Sequence, residues 1–209
     1  IALGSALPLF LQVAWIALNT WLFTGLFITA HDAMHGVVAP QHKGLNKGIG
    51  QLALLIYAGL SYDKLLEGHI LHHKAPATKA DPDYLMHNGS FSQAEALIRW
   101  YWSFMMSYLT WQPFVVVATV FTVADRLYQV DVLSMLLFWI LPQILSTLQL
   151  FFFGTYLPHR GEFDDVIPAR SNQYPVWLSV LTCFHFGYHR EHHLYPHLPW
   201  WKIPAARSW

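Results

Sequence analysis

Charge is scarce in this chain. Only 11% of its 209 residues are Asp, Glu, Lys or Arg while 55% are apolar, whereas an ordinary soluble domain carries about 25% charged residues. The deficit points to a membrane protein. There is no excess of either sign: twelve basic residues balance twelve acidic ones, so no basic surface is available to hold nucleic acid. The single cysteine, Cys183, excludes an internal disulfide and a thiolate cluster, and a metal site would have to be built from nitrogen and oxygen ligands. The chain also lacks GxGxxG, a P-loop and any cysteine set for haem or iron–sulfur binding, so electrons for a redox reaction would have to come from outside. It begins at Ile1 with neither the basic n-region nor the small-residue cleavage pattern of a signal peptide, and reads as a fragment without its N-terminus. With no internal repeat and no linker, residues 1–209 read as one membrane domain.

What is abundant is apolar sequence in long runs. Pro8–Ala30 is uncharged for 23 residues, Tyr101–Ala124 for 24 and Val132–Leu157 for 26. Each is long enough to cross a hydrocarbon core about 30 Å thick at 1.5 Å per residue. Three transmembrane helices are therefore expected, with Pro113 and Pro142 as kinks rather than breaks. Ile49–Leu60 is apolar but only 12 residues long, which suits a re-entrant or interfacial segment. Asp125–Asp131 should be a tight hairpin between the second and third spans. Eleven of the twelve basic residues lie in 43–99 or after the third span, and only Arg126 lies in the hairpin. The positive-inside tendency then puts Arg126 on one face and the other basic regions on the cytoplasmic face.

Histidine is the second excess. Thirteen are present, all on the expected cytoplasmic side or at its boundary. Three clusters stand out: His31 and His35 in HDAMH, His69, His72 and His73 in HILHH, and His189, His192 and His193 in HREHH. Residues three and four apart share a helix face, so eight imidazoles on three helices can converge. Neutral imidazole suits iron, zinc and copper, and eight ligands exceed what one ion takes; the count implies two ions. So many polar rings beside membrane spans are costly to bury without partners. His185 precedes His189 by four residues, so spacing alone also admits it as a ligand, though a wall or supporting position is preferred. His42, His87 and His197 are isolated and read as structural or exposed.

FITAHDAMHG (Phe27–Gly36), HILHHKAPATKADPDY (His69–Tyr84), FGTYLPHR (Phe153–Arg160) and CFHFGYHREHHLYPHLPWWK (Cys183–Lys202) resemble the membrane histidine-box di-iron oxygenases, and within them the bacterial-type β-carotene 4-ketolases. The resemblance runs over nearly the whole chain and its order of elements. It implies an all-α integral membrane fold whose transmembrane helices carry a cytoplasmic, histidine-rich helical cap holding two ferrous ions. It also implies a ninth ligand at the end of the last span, where His159 stands. Acyl desaturases have an asparagine four residues before that histidine; this chain has Thr155, a departure that argues against a simple acyl desaturase.

In that reading O2 is the co-substrate. C4 of a β-ionone ring is hydroxylated twice, and the gem-diol loses water to leave a ketone, taking β-carotene through echinenone to canthaxanthin. The carotenoid would enter from the bilayer lipid, and the electron donor would be ferredoxin with its reductase, docking near Lys64, Lys74 and Arg190. No catalytic residue is expected beyond the metal site. Asp32, Asp81, Asp83 and Glu191 are candidates to hold the outer N–H of a metal-bound imidazole, and Asp32, inside the first box, is favoured. Phe27, Trp100, Tyr101, Trp102, Phe152, Phe153, Phe184 and Phe186 are candidates to line a tunnel or, equally, to anchor the chain at the interface. The rivals are a carotenoid ring hydroxylase or lipid desaturase of the same superfamily and, in another class, a zinc-binding transporter or receptor without redox chemistry.

Overall fold

The computed structural model describes residues 7–85, 92–161, 163 and 167–207; His87 lies outside them. Among these residues the fold is all helical, and the one bridge, Ser171 to Tyr188, belongs to no strand. Helix α1, Leu9–Met34, has 26 residues, about 39 Å at 1.5 Å per residue. Its outer face leaves Phe10, Val13, Leu18 and Leu22 exposed, as a lipid-facing helix does. It runs past the expected end at Ala30, so that His31 and Asp32 sit in its last turn.

Helix α2, Lys43–Ala58, packs along α1 and has 16 residues, about 24 Å and short of a bilayer. Gly59 ends it at φ 70°, and α3, Tyr62–Lys74, then runs back. The imidazoles of α3 meet those of α1, with the His31 and His69 rings 4.5 Å apart. The chain therefore returns to the end it left, as a re-entrant segment should.

The second expected span is corrected. Tyr101–Ala124 is not one helix but parts of α4, Gln93–Tyr108, and α5, Gln112–Tyr128, which meet at 85°. Pro113 explains the break: it has no N–H for the carbonyl of Leu109 and its ring would strike that carbonyl. Leu109 accordingly leaves the helical region at ψ 127°. Among the described residues two helices, not three, are long and apolar enough to cross a membrane as single rods, and a third crossing exists only if the bent pair is counted as one.

Helix α6, Val132–His159, is the second such rod, 28 residues long. The hairpin before it forms as expected: Gln129 ends α5 at φ 52° and Asp131 caps α6 by accepting from the Ser134 N–H at 2.9 Å. Pro142 and Pro158 do not break α6. Each follows a π-helical stretch, Leu136–Ile140 and Phe151–Tyr156, which contains the residue four positions earlier and widens the turn where the ring would clash. Two short helices, α7 (Val176–Cys183) and α8 (His189–Leu194), and a 3₁₀ turn over Trp200–Ala206 close the histidine end. They are tied to α1 by the Trp21 Nε1 hydrogen bond to the Val180 carbonyl, by Trp21 stacked on Phe184 at 4.5 Å, and by the Trp200 N–H bonded to Asp32.

Candidate metal centre and the cavity beside it

Helix ends bring the histidines together. His31 and His35 close α1, His69, His72 and His73 fill the last turn and a half of α3, His159 ends α6, and His189, His192 and His193 occupy one face of α8. The nine divide into two groups of four with one between them. In the first, His31, His35, His69 and His192 each offer a ring nitrogen within 4.8 Å of the others; in the second, His72, His159, His189 and His193 do the same. His73 bridges them: its Nε2 is 3.0 Å from that of His192, and its ring stacks on His193 at 4.4 Å.

Each group could hold a metal ion. Imidazole nitrogens about 2.1 Å from a shared metal lie no more than about 4.2 Å apart, and the closest pairs in both groups lie inside that limit. The Nε2 atoms of His72, His189 and His193 approach one another at 3.0–3.3 Å, and those of His35 and His69 at 2.6 Å. Neutral imidazoles facing one another through the same nitrogen gain little unless something shared lies between them. Nε2 of His31 and of His159 is buried without any hydrogen bond among the described residues, and such orphaned atoms are rare unless they serve a ligand. Burial pushes His35 down to about 4; burial and the neighbouring His35, His72 and His159 push His73 down to about 3. Burial and neighbouring imidazoles also hold His69, His189, His192 and His193 well below the usual histidine range. These six rings are neutral at neutral pH, the form in which imidazole ligates.

The outer hydrogen bonds differ from expectation in one respect. Asp81, rather than Asp32, grips a histidine: its Oδ2 accepts from His72 Nδ1 at 2.9 Å and from the Ala77 N–H at 2.9 Å, and its Oδ1 accepts from the Asp83 N–H at 2.9 Å. Burial would raise this carboxyl, but the His72 hydrogen bond and charge and the two backbone donors hold it below the usual carboxylate range. His72 is the counterpart: burial alone would lower it, and the Asp81 hydrogen bond with the Asp83 and Asp81 charges raise it instead. Asp32 Oδ1 stays 3.6 Å from His31 Nδ1, and its Oδ2 accepts the Trp200 N–H at 3.0 Å. Its carboxylate therefore anchors the C-terminal turn to the first box. His159 donates from Nδ1 to the Pro168 carbonyl at 2.8 Å, which leaves Nε2 for the second group. Glu191 accepts from Ser171 Oγ and lies 3.9 Å from Arg207.

His185 belongs to neither group. Helix α8 starts only at His189, and His185 sits before it at φ 62° with its ring stacked on Tyr188 at 5.5 Å. His42 and His197 are exposed. Of the aromatic candidates, Phe27 and Phe186 line the cavity described next, Trp100 borders a different one near Arg160, and Trp102 faces outward at 64% exposure.

A cavity reaches His31 and His69 and adjoins a second one. Phe27, Leu65, Phe104, Tyr108 and Leu150 line both. The second is bordered by Leu60, Met105 and Leu109, so it lies against the α4–α5 elbow, where Leu109 is 40% exposed. Phe104, Tyr108, Leu65 and Leu150 were not singled out from the sequence, because nothing in an apolar run marks which members face inward.

A bundle with two bilayer-length helices and two four-histidine groups at one end defines a membrane enzyme of the histidine-box type. The zinc-transporter alternative calls for histidines strung along a pathway, whereas these converge at the ends of α1, α3 and α6 and on α8. The fatty acid desaturase family profile matches residues 6–131 and 108–209, and the chain belongs to that family. It is 45% identical to a β-carotene ketolase of Paracoccus sp. (strain PC1) over 98% of this chain and 82% of that protein. A second Paracoccus β-carotene ketolase (strain N81106 / MBIC 01143) is 45% identical over 90% of this chain and 76% of its own length. The β-carotene ketolase of the alga Haematococcus lacustris is 37% identical over 98% of this chain and 64% of its length.

Proposed function

We propose that this membrane protein is a β-carotene 4-ketolase, an oxygenase that converts C4 of carotenoid β-ionone rings to a ketone. Its kinship with ketolases over nearly the whole chain supports the reaction class. The single observation that carries the mechanism is the apolar cavity ending at His31 and His69.

His31, His35, His69 and His192 would hold one iron, and His72, His159, His189 and His193 the other, with His73 able to reach either. Bound in its reduced form, the iron pair supplies activation of O2 for insertion of oxygen at a C–H bond. The chain's own part is to position and to exclude water. Phe27, Leu65, Phe104 and Leu150 form apolar walls that favour a hydrocarbon ring over water. His72 is oriented through its Nδ1 by Asp81, and His159 through its Nδ1 by the Pro168 carbonyl, which aims each Nε2 inward. The elbow at Leu109 opens the cavity sideways, and a substrate dissolved in the bilayer enters there. The histidine end faces the cytoplasm, where ferredoxin and its reductase supply electrons; Lys64 and Lys74 are exposed on that side.

Expression in cells that accumulate β-carotene, followed by pigment analysis, tests the reading. The expected products are 4-keto carotenoids, lost in His69→Ala and His189→Ala; only 3-hydroxylated carotenoids or desaturated lipids would refute it.

A further inference from the structure

The cavity beside His31 and His69 is apolar along most of its wall, yet three polar residues other than histidine also line it: Asp83, Tyr108 and Thr155. They are not arranged by chance packing. Tyr108 Oη donates to Asp83 Oδ1. Asp83 is fixed in turn, its N–H donating to Asp81 Oδ1 at 2.9 Å and its carbonyl accepting from Trp100 Nε1 at 2.7 Å. Thr155 stands in the π-helical stretch of α6, only 6% exposed, and its hydroxyl makes no hydrogen bond among the described residues. An α-helical threonine ordinarily returns its hydroxyl to a carbonyl of the preceding turn, as Thr20, Thr24 and Thr29 do in α1.

β-Carotene is a hydrocarbon and has no use for such groups, which make a cavity costlier to dehydrate. The same ring after one oxidation does have a use for them, because C4 then carries a hydroxyl. Tyr108 donates its O–H to Asp83, so its oxygen lone pairs are left to accept from that hydroxyl, and Thr155 Oγ1 can donate to it.

We infer that Tyr108, backed by Asp83, and Thr155 together form a hydrogen-bonding patch that retains the 4-hydroxylated ring beside the histidine groups for its second oxidation. The inference rests on the ketolase reading and adds to it a division of labour: apolar walls admit the hydrocarbon, and the polar patch holds the half-oxidised product. The patch makes and breaks no covalent bond. A site that hydrogen-bonds a hydroxyl discriminates strongly against the analogue without it, so the intermediate outlasts incoming β-carotene in the cavity.

The test uses Tyr108→Phe and Thr155→Val in the intact protein in membranes, with β-carotene as substrate and the ratio of 4-hydroxy to 4-keto carotenoid as readout. Each variant removes one hydrogen bond to the 4-hydroxyl, and the ratio should rise about tenfold. Binding of a 4-hydroxy carotenoid to purified protein, followed by quenching of tryptophan fluorescence, should weaken by a similar factor while binding of β-carotene does not. A general structural defect lowers both products in step, so an unchanged ratio in both variants overturns the proposal. If the wild-type protein makes no 4-oxygenated carotenoid, the ketolase reading itself fails, a result distinct from an unchanged ratio.

Discussion

Asp81→Ala should strip the second histidine group of its orientation, and Asp32→Asn should not. Asp81 has a fully buried side chain that accepts three hydrogen bonds, from His72 Nδ1 and from the N–H groups of Ala77 and Asp83. Truncation leaves three donors without an acceptor. Removing a carboxylate that orients a ligating histidine costs about 10- to 100-fold in metal affinity, or about 1.4–2.8 kcal/mol. Each donor left dry adds about 1–3 kcal/mol of destabilisation, less for the backbone groups that water can reach, so a loss of about 3 kcal/mol in folding stability is expected. Asp32→Asn behaves differently, because the asparagine Oδ1 can still accept from the Trp200 N–H and His31 Nδ1 loses no hydrogen bond, being 3.6 Å away. Titration of purified metal-free protein with Fe(II) or the visible chromophore Co(II), together with thermal denaturation, measures both quantities. Equal metal affinity in Asp81→Ala and wild type, or a larger loss in Asp32→Asn, would refute the reasoning.

Three further outcomes are expected. Gly154→Ala drives a Cβ into the edge of the Phe186 ring, which is confined by the His31 ring at 4.8 Å and the His189 ring at 5.2 Å. The variant should lose about 1–3 kcal/mol and bind less iron, with Phe186→Leu in the same chain restoring part of both; wild-type iron content in the single variant would contradict this. Gly59→Ala strains a residue at φ 70° and sets its Cβ 2.6 Å from Val116, so the melting temperature should fall by an amount equivalent to about 1–3 kcal/mol, and an unchanged melting temperature would show that the α2–α3 turn yields freely. His185 is held at about 4 by burial, below its ordinary 6.5. Unfolded chains take up its proton as pH falls through 6.5 and folded chains do not until about 4, so its contribution to stability is complete above 6.5 and is lost between 6.5 and about 4. His185→Gln should therefore flatten the fall in stability between pH 7 and pH 5 in denaturant titrations, and an unaltered slope would rule this out.

Much of the site was legible because its chemistry is local. HDAMH, HILHH and HREHH place imidazoles at helical spacing, and their convergence follows once each lies at a helix end. That Ile49–Leu60 is no full span was legible for a related reason: a run of 12 residues is too short to cross a bilayer, and α2 is only 16 residues long. The break between α4 and α5 was harder, since composition cannot tell a tolerated proline from a disruptive one. Pro142 and Pro158 follow π-helical stretches that absorb the clash, whereas Leu109 before Pro113 leaves the helix.

By itself the sequence determined the helical class, the poverty of charge that demands a membrane, and the eight imidazoles of three helically spaced clusters, because these depend on residue type and spacing along one chain. Only the tertiary structure decided that His192 joins His31, His35 and His69 while His189 and His193 join His72 and His159. Neighbours on one short helix part company there because i and i+3 rings diverge enough to face different partners. The same holds for Asp81 over Asp32, and for Tyr108 and Thr155 on the cavity wall. Which of several buried polar groups meets which partner is settled by packing between segments up to 168 residues apart, and no local pattern encodes that choice.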